Sequence, residues 1–144
     1  MIAVDTQILV YAHRADAPPH AAARSAIEGL ATGRPAWALP SQVLHEFLGV
    51  VTHTRIYDPP STTEQAWSQI HAWLASPSVV VIGEQPGHLE TLERLVRAGR
   101  VNGPRIHDAR VAAICIDNGV RELWSADRDF RRFKELRTRN PLAA

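Results

Sequence analysis

Short apolar runs alternate with longer stretches of helical period along this chain. Residues 1–4 form a brief apolar strand that ends at Asp5-Thr6, and residues 7–12 continue as a helix. After a turn at residues 16–19, residues 20–30 form a helix with Ala23, Ile27, Leu30 and Ala31 on its inward stripe. Gly33-Arg34-Pro35 ends it, and residues 36–39 read as a second strand. Pro40-Ser41 opens a helix whose broad apolar face carries Val43, Leu44, Phe47, Leu48, Val50 and Val51. Residues 57–60 break it, and residues 61–64 match a capping box for a helix with Ala66, Trp67, Ile70, Trp73 and Leu74 at core spacing. Residues 79–82 are a β-branched third strand, and Leu89, Leu92, Leu95 and Val96 stripe the next helix. On its wet side Glu90/Arg94 and Glu93/Arg97 are spaced as i,i+4 pairs. Residues 106–116 are apolar almost all round, Asn118-Gly119 supplies a left-handed C-cap, and residues 120–124 read as a strand. Strands alternating with helices predict a three-layer α/β/α domain on a central parallel sheet with right-handed crossovers.

Several acids break this pattern. Asp108 lies in the first turn of the apolar 106–116 helix, on a face shared with Ala112 and Cys115. An unpaired carboxylate there costs several kcal/mol and calls for a cation. Asp127 and Asp129 follow the last predicted strand at its carboxyl end, where open α/β sheets bind ligands. Asp5 sits at the tip of the first strand in the same way. Glu46 falls at the rim of the apolar face of its helix, about 40° from the nearest apolar neighbour on an ideal wheel.

An acid after the first strand, a helical glutamate at mid-chain, the IHDARVAA helix and the WSADRDF loop together resemble the PIN-domain nucleases. Within them a chain this short resembles the VapC-type toxins of prokaryotic toxin–antitoxin pairs. The resemblance covers residues 1–140, read as one PIN-like domain with residues 141–144 as a tail. It places the catalytic acids on Asp5, Glu46, Asp108 and Asp127, with Asp5, Asp108, Asp127 and Asp129 as metal ligands. Asp129 is either that auxiliary ligand or a cap of the turn at Phe130. Thr6 and Ser125 are either hydroxyls supporting the ligands or caps. Gln7 and Ser125 stand where the family more often has Asn and Thr, and both keep hydrogen-bonding capacity. The resemblance further implies RNA cleavage, a small cognate antitoxin that inserts a basic residue into the acidic groove, and homodimers.

Phosphodiester hydrolysis at neutral pH needs an activated water and neutralised phosphate oxygens, which bound Mg²⁺ or Mn²⁺ supplies through oxygen ligands. Four acids from different elements, meeting at the strand tips, would make such a bowl. With four acids withdrawn from a formal net charge of +1, the rest of the chain carries about five positive charges, suited to a polyanion. Arg128, Arg131, Arg132 and Lys134 leave directly from the acidic loop and are candidate contacts to RNA phosphates, with Arg14 assisting. The plainer reading of the basic run is a solvated terminal segment.

Composition narrows the alternatives. A hydrophobic content of 45% with 22% charged residues is that of a globular domain with a real core. A lone Cys115 excludes an intrachain disulfide and, with no signal-like start or membrane-length apolar run, points to the cytoplasm. His45-Glu46 begins a zincin-like motif, but Gly49 stands where its second histidine belongs. The histidines show no ligand spacing and read as surface or helix-end residues. An aspartyl-phosphate phosphatase starting at Asp5 would need a second Asp where Gln7 stands. A non-catalytic PIN-like module would have lost one of the four acids, and all four are present. A PIN-type nuclease with a housekeeping role in RNA processing is the remaining alternative to a toxin.

Overall fold

The computed structural model describes residues 1–143. Five strands form one parallel sheet in the order β3-β2-β1-β4-β5, with β1 at Ile2–Val4, β2 at Trp37–Pro40, β3 at Val79–Ile82, β4 at Glu122–Trp124 and β5 at Arg137–Arg139. Six helices connect them: α1 Thr6–His13, α2 His20–Thr32, α3 Ser41–Val51, α4 Thr63–Leu74, α5 His88–Gly99 and α6 Ile106–Asp117. The chain steps from β1 to β2 to β3 in one direction, then crosses back to β4 and on to β5. Right-handed crossovers therefore put α1–α4 on one face and α5 and α6 on the other. The reversal falls between β1 and β4. That makes their carboxyl ends the switch point, where a doubly wound sheet opens a crevice.

Burial follows from this layering. Trp37, Ala38 and Leu39 are fully buried in β2, and β1 contributes Ala3 and Val4. On the α1–α4 face, Phe47 packs edge-on against His13 and Trp73, at centroid distances of 5.3 and 5.0 Å. On the other face, α6 is buried from Ala109 to Cys115 apart from Arg110, because it is covered by both the sheet and α5. Gly119, at φ +74°, takes the left-handed position just beyond α6 that a side chain would resist. Among the described residues, no helix is long and apolar enough to cross a membrane.

Several local expectations are corrected. A fifth strand, β5, was not foreseen: it carries no hydrophobic alternation, and Arg137 and Arg139 are exposed on this edge strand paired to β4. The capping box lies one residue later, with Thr62 as N-cap and Gln65 closing it. Trp67 is 45% exposed and Leu89 76% exposed, so neither belongs to the core. Arg97 does pair with Glu93, whereas Arg94 reaches Glu135 on the far side of the 133–136 segment. His88 stands at a helix end, as read, opening α5, but it is buried there, and its Nδ1 has no hydrogen-bond partner among the described residues. Leu142 packs against the core, so the chain end is anchored at least that far.

The Phe47 contacts hold α3, and with it Glu46, against α1 and α4. Phe47→Ala is expected to lower the free energy of unfolding by about 3–5 kcal/mol, read from urea or guanidinium melts. A loss below about 1 kcal/mol would show that α3 is held by other contacts.

Candidate active site

Asp5 is the residue after β1, and its N–H donates to the Trp124 carbonyl at 2.9 Å, extending the β1–β4 pairing by one step. It occupies the N-cap of α1, yet its carboxylate makes no capping bond to the helix. It instead accepts from the Ser125 hydroxyl at 2.8 Å, across the switch point. The same Ser125 oxygen accepts the Asp127 N–H at 3.0 Å, and Asp127 in turn accepts the Asp129 N–H at 2.9 Å. One buried hydroxyl thus ties the tip of β1 to the loop after β4. Ser125 serves both of the roles the sequence left open, carboxylate support and turn cap.

Thr6 opens α1 and donates its hydroxyl to Glu46 at 2.7 Å, so α1 fixes the glutamate that α3 presents. Gln42, one turn earlier on α3, reaches the other Glu46 oxygen at 3.4 Å. Behind it stands Arg110 of α6, which bonds Gln42 and donates to Glu84 at 2.6 Å. This Arg110–Gln42 link joins helices from the two faces of the sheet. Periodicity gave no sign of it, because both residues are polar and lie far apart in sequence.

Electrostatics shows which acids face one another. Burial pushes the Asp5 carboxyl up to about 6; the Ser125 hydroxyl and the Thr6 N–H oppose that rise, and the charges of Glu46 and Asp108 add to it. Asp108 is also raised to about 6, first by burial, then by the charge of Asp127, with Arg105 opposing and Glu46 and Asp129 reinforcing. Asp5, Glu46 and Asp108 are therefore within electrostatic reach of one another, and Asp127, which is exposed, is within reach of Asp108. Asp129 stands apart. Its carboxylate is ion-paired with Arg105, which holds it below the usual carboxylate range. Arg105 was not singled out from sequence, although its i,i+3 spacing to Asp108 placed it within reach.

The donor set suits a hard divalent cation in kind, being all oxygen and strongly negative. Among the described residues, no three acids stand close enough together to bind an ion directly as placed. A Mg²⁺-type site keeps several of its waters, so one or two carboxylates in contact, with the others acting through water, match this spacing.

The candidate cationic residues divide. Arg128, Arg131, Arg132 and Lys134 are exposed on a short 3₁₀ turn, residues Arg128–Arg132, and the loop after it, beside Asp127 and Asp129. Arg14 is not free in the same way. Its guanidinium contacts Asp16, the Pro59 carbonyl and Ser61, and lies 4.2 Å from the Tyr57 ring centroid.

The raised Asp5 carboxyl has a definite sign in stability. Between about pH 4 and pH 6 the folded protein keeps a proton that the unfolded chain has released, so this contribution is full below pH 4 and lost as pH rises through 6. In cation-free protein, Asp5→Asn should match the parent near pH 4 and exceed it above pH 6, by on the order of 3 kcal/mol. Denaturant melts across this range measure the gap, and a gap independent of pH would contradict the assignment.

The PIN domain model matches residues 2–136. Ribonuclease VapC43 of Mycobacterium tuberculosis is 39% identical over 142 residues, covering 99% of this chain and 96% of that protein. Ribonuclease VapC31 of the same species is 32% identical over 98% of this chain and 99% of its own length. Among solved structures, the fold matches M. tuberculosis VapC20, described as a sarcin-ricin loop cleaving toxin, with a TM-score of 0.68 at 21% identity, covering 95% of this chain and 99% of that one. It also matches VapBC2 of Rickettsia felis bound to promoter DNA, with a TM-score of 0.68 at 23% identity and coverage of 97% and 98%. The acidic crevice, the doubly wound sheet and these relatives lead to one conclusion: the chain belongs to the PIN domain family, among its VapC ribonucleases.

Proposed function

We propose that this chain is a Mg²⁺- or Mn²⁺-dependent endoribonuclease that acts as the toxin of a toxin–antitoxin pair, cutting a structured RNA such as tRNA or rRNA to stop translation. The observation that carries this reading is that Asp5 and Glu46, held by Ser125 and Thr6 at the switch point of the sheet, lie within electrostatic reach of Asp108, which is itself within reach of Asp127. A ribonuclease among its relatives supports the activity, and a sarcin-ricin loop cleaving toxin of the same fold supports the substrate class.

Asp5, Asp108 and Asp127 are placed to hold the cation directly or through water, and it would supply an activated water and neutralise charge on the phosphate oxygens. The chain's own groups prepare the crevice. Ser125 fixes the Asp5 carboxylate and the start of the 126–129 loop together. Thr6 and Gln42 orient Glu46, which is positioned to accept a proton from attacking water. Asp129, occupied by Arg105, acts as an auxiliary acid that sets where that guanidinium lies. Arg128, Arg131, Arg132 and Lys134 hold the RNA backbone beside the acids.

Cation dependence is tested in two independent readouts. Cleavage of RNA should require Mg²⁺ or Mn²⁺ and vanish in EDTA, and Asp108→Asn should nearly abolish it with the fold intact. Mn²⁺ should also raise the melting temperature of the parent, because the ion binds only the folded cluster. Full activity under rigorous chelation, or a melting temperature flat across a wide Mn²⁺ titration, would refute the mechanism.

Such an enzyme needs restraint, and a small VapB-type antitoxin is the proposed partner of what we take to be a homodimer. A single Arg of the partner, bound bidentately to the cation-free acids, would exclude the metal. Its apolar flanks would lie along the groove between α1, α2 and α4, a 490 Å³ cleft lined by Ala12, Ile27, Ala31 and Trp73. Co-expression with the neighbouring open reading frame should yield a stable complex and relieve the growth arrest caused by this chain alone. No complex, together with normal growth, would instead favour a housekeeping PIN-type nuclease.

A further inference from the structure

Helix α5 ends in an unusual way. Its C-cap, Arg100, has φ 52° and ψ 44°, and is the only non-glycine at positive φ among the described residues. The Arg100 N–H bonds the Arg97 carbonyl and the Val101 N–H bonds that of Val96, the closure of a helix end where glycine is the default. A glycine stands one residue earlier, at Gly99. A Cβ there would meet the Phe133 ring at 3.4 Å and Cβ of Arg132 at 3.7 Å, ordinary contact distances, so Gly99 marks where the end of α5 lies against the 128–134 segment. Arg100 keeps its side chain in a position that resists one.

The result of this approach is a 510 Å³ groove between the end of α5 and that segment. Arg100 lines one wall, and Arg128, Arg131, Arg132 and Lys134 line the other. Asp129 is its only acid, and Asp129 is already paired with Arg105 at the edge of the acidic crevice. Five cations therefore line a space whose one acid is already paired, and Asp129 joins that space to Asp127, whose carboxylate accepts its N–H. Cations from two separate elements around one shallow, open depression suit a polyanionic strand, since its phosphates can be met from both elements.

We propose that this groove is a backbone-binding track for the RNA flanking the scissile phosphate, and that Arg100 forms its far wall as a positioning residue. This rests on the nuclease reading above and adds a residue from a separate element. The left-handed strain at Arg100 is tolerated because its charge is needed there.

Arg100→Gly separates the two contributions. Glycine relieves the backbone, so the variant should melt at or above the parent temperature. Binding is measured in an Asp108→Asn background, which prevents cleavage, using a short hairpin RNA across a salt series. Arg100→Gly should lose about fivefold or more in affinity, and its log–log salt slope should shrink by about one. Arg100→Lys, which keeps the charge, should retain the slope, and Arg131→Ala should weaken binding as a control. Unchanged affinity and slope in Arg100→Gly, with Arg131→Ala impaired, would overturn the track while leaving the nuclease reading intact. A slope lost equally in Arg100→Lys would show that a positive charge at this position does not carry the effect and would overturn it also. Failure of the parent and every variant to bind RNA would overturn both.

Discussion

Everything at the carboxyl end of this sheet depends on Asp5 being buried without a cationic partner of its own. Its carboxylate is 8% exposed at the residue level and leans on a single side-chain donor, the Ser125 hydroxyl. That bond joins the two strands flanking the switch point, so the cost of burying Asp5 and the closure of the crevice are one interaction. Glu46 and Asp108 face the same carboxylate and raise its pKa further. A fold selected only for stability would place an apolar residue or an arginine here. Retaining the acid costs stability, and the function offsets that cost through what the crevice can bind.

The surrounding structure distributes charge in two zones. The acids come from the tip of β1, α3, α6 and the loop after β4, and two of them are set by neighbours: Glu46 by Thr6 and Gln42, Asp5 by Ser125. Outside the crevice the cations sit on the 128–134 segment and on the end of α5. Arg105 stands at the boundary, paired with Asp129 and felt by Asp108 and Asp127. The modest net charge of +1 conceals this separation. On the proposed function, an RNA strand would meet the cations first and the acids next, with a divalent cation between the two charges.

Much of this was legible in the sequence, for a physical reason. Asp5, Asp108 and Asp127 stand out because they occupy strand tips and an apolar helix, where hydrophobic periodicity predicts other residues. The core helices and four of the strands follow the same periodicity. β5 was illegible because Arg137-Thr138-Arg139 carries no apolar residue; backbone pairing to β4, with Arg137 near Glu122 and Arg139 over Trp124, holds it along an edge. Trp67 and Leu89 were misplaced because helical spacing identifies a stripe without saying how wide the covering layer is. The cross-sheet pair Arg110–Gln42 and the reach of Arg94 to Glu135 depend on tertiary approach alone. Arg14 shows the converse: a free cation in sequence, occupied in the fold by Asp16 and Tyr57.

The central claim is that Asp5 and Asp108 are protonated or strained when alone and become fully ionised ligands when a cation enters. Proton release on binding measures this directly. Mn²⁺ titrated calorimetrically at pH 5.5, in buffers of different ionisation heat, should release about one proton or more per ion, falling nearly to zero at pH 8. Binding with no proton release at pH 5.5, or with equal release at both pH values, would contradict the account.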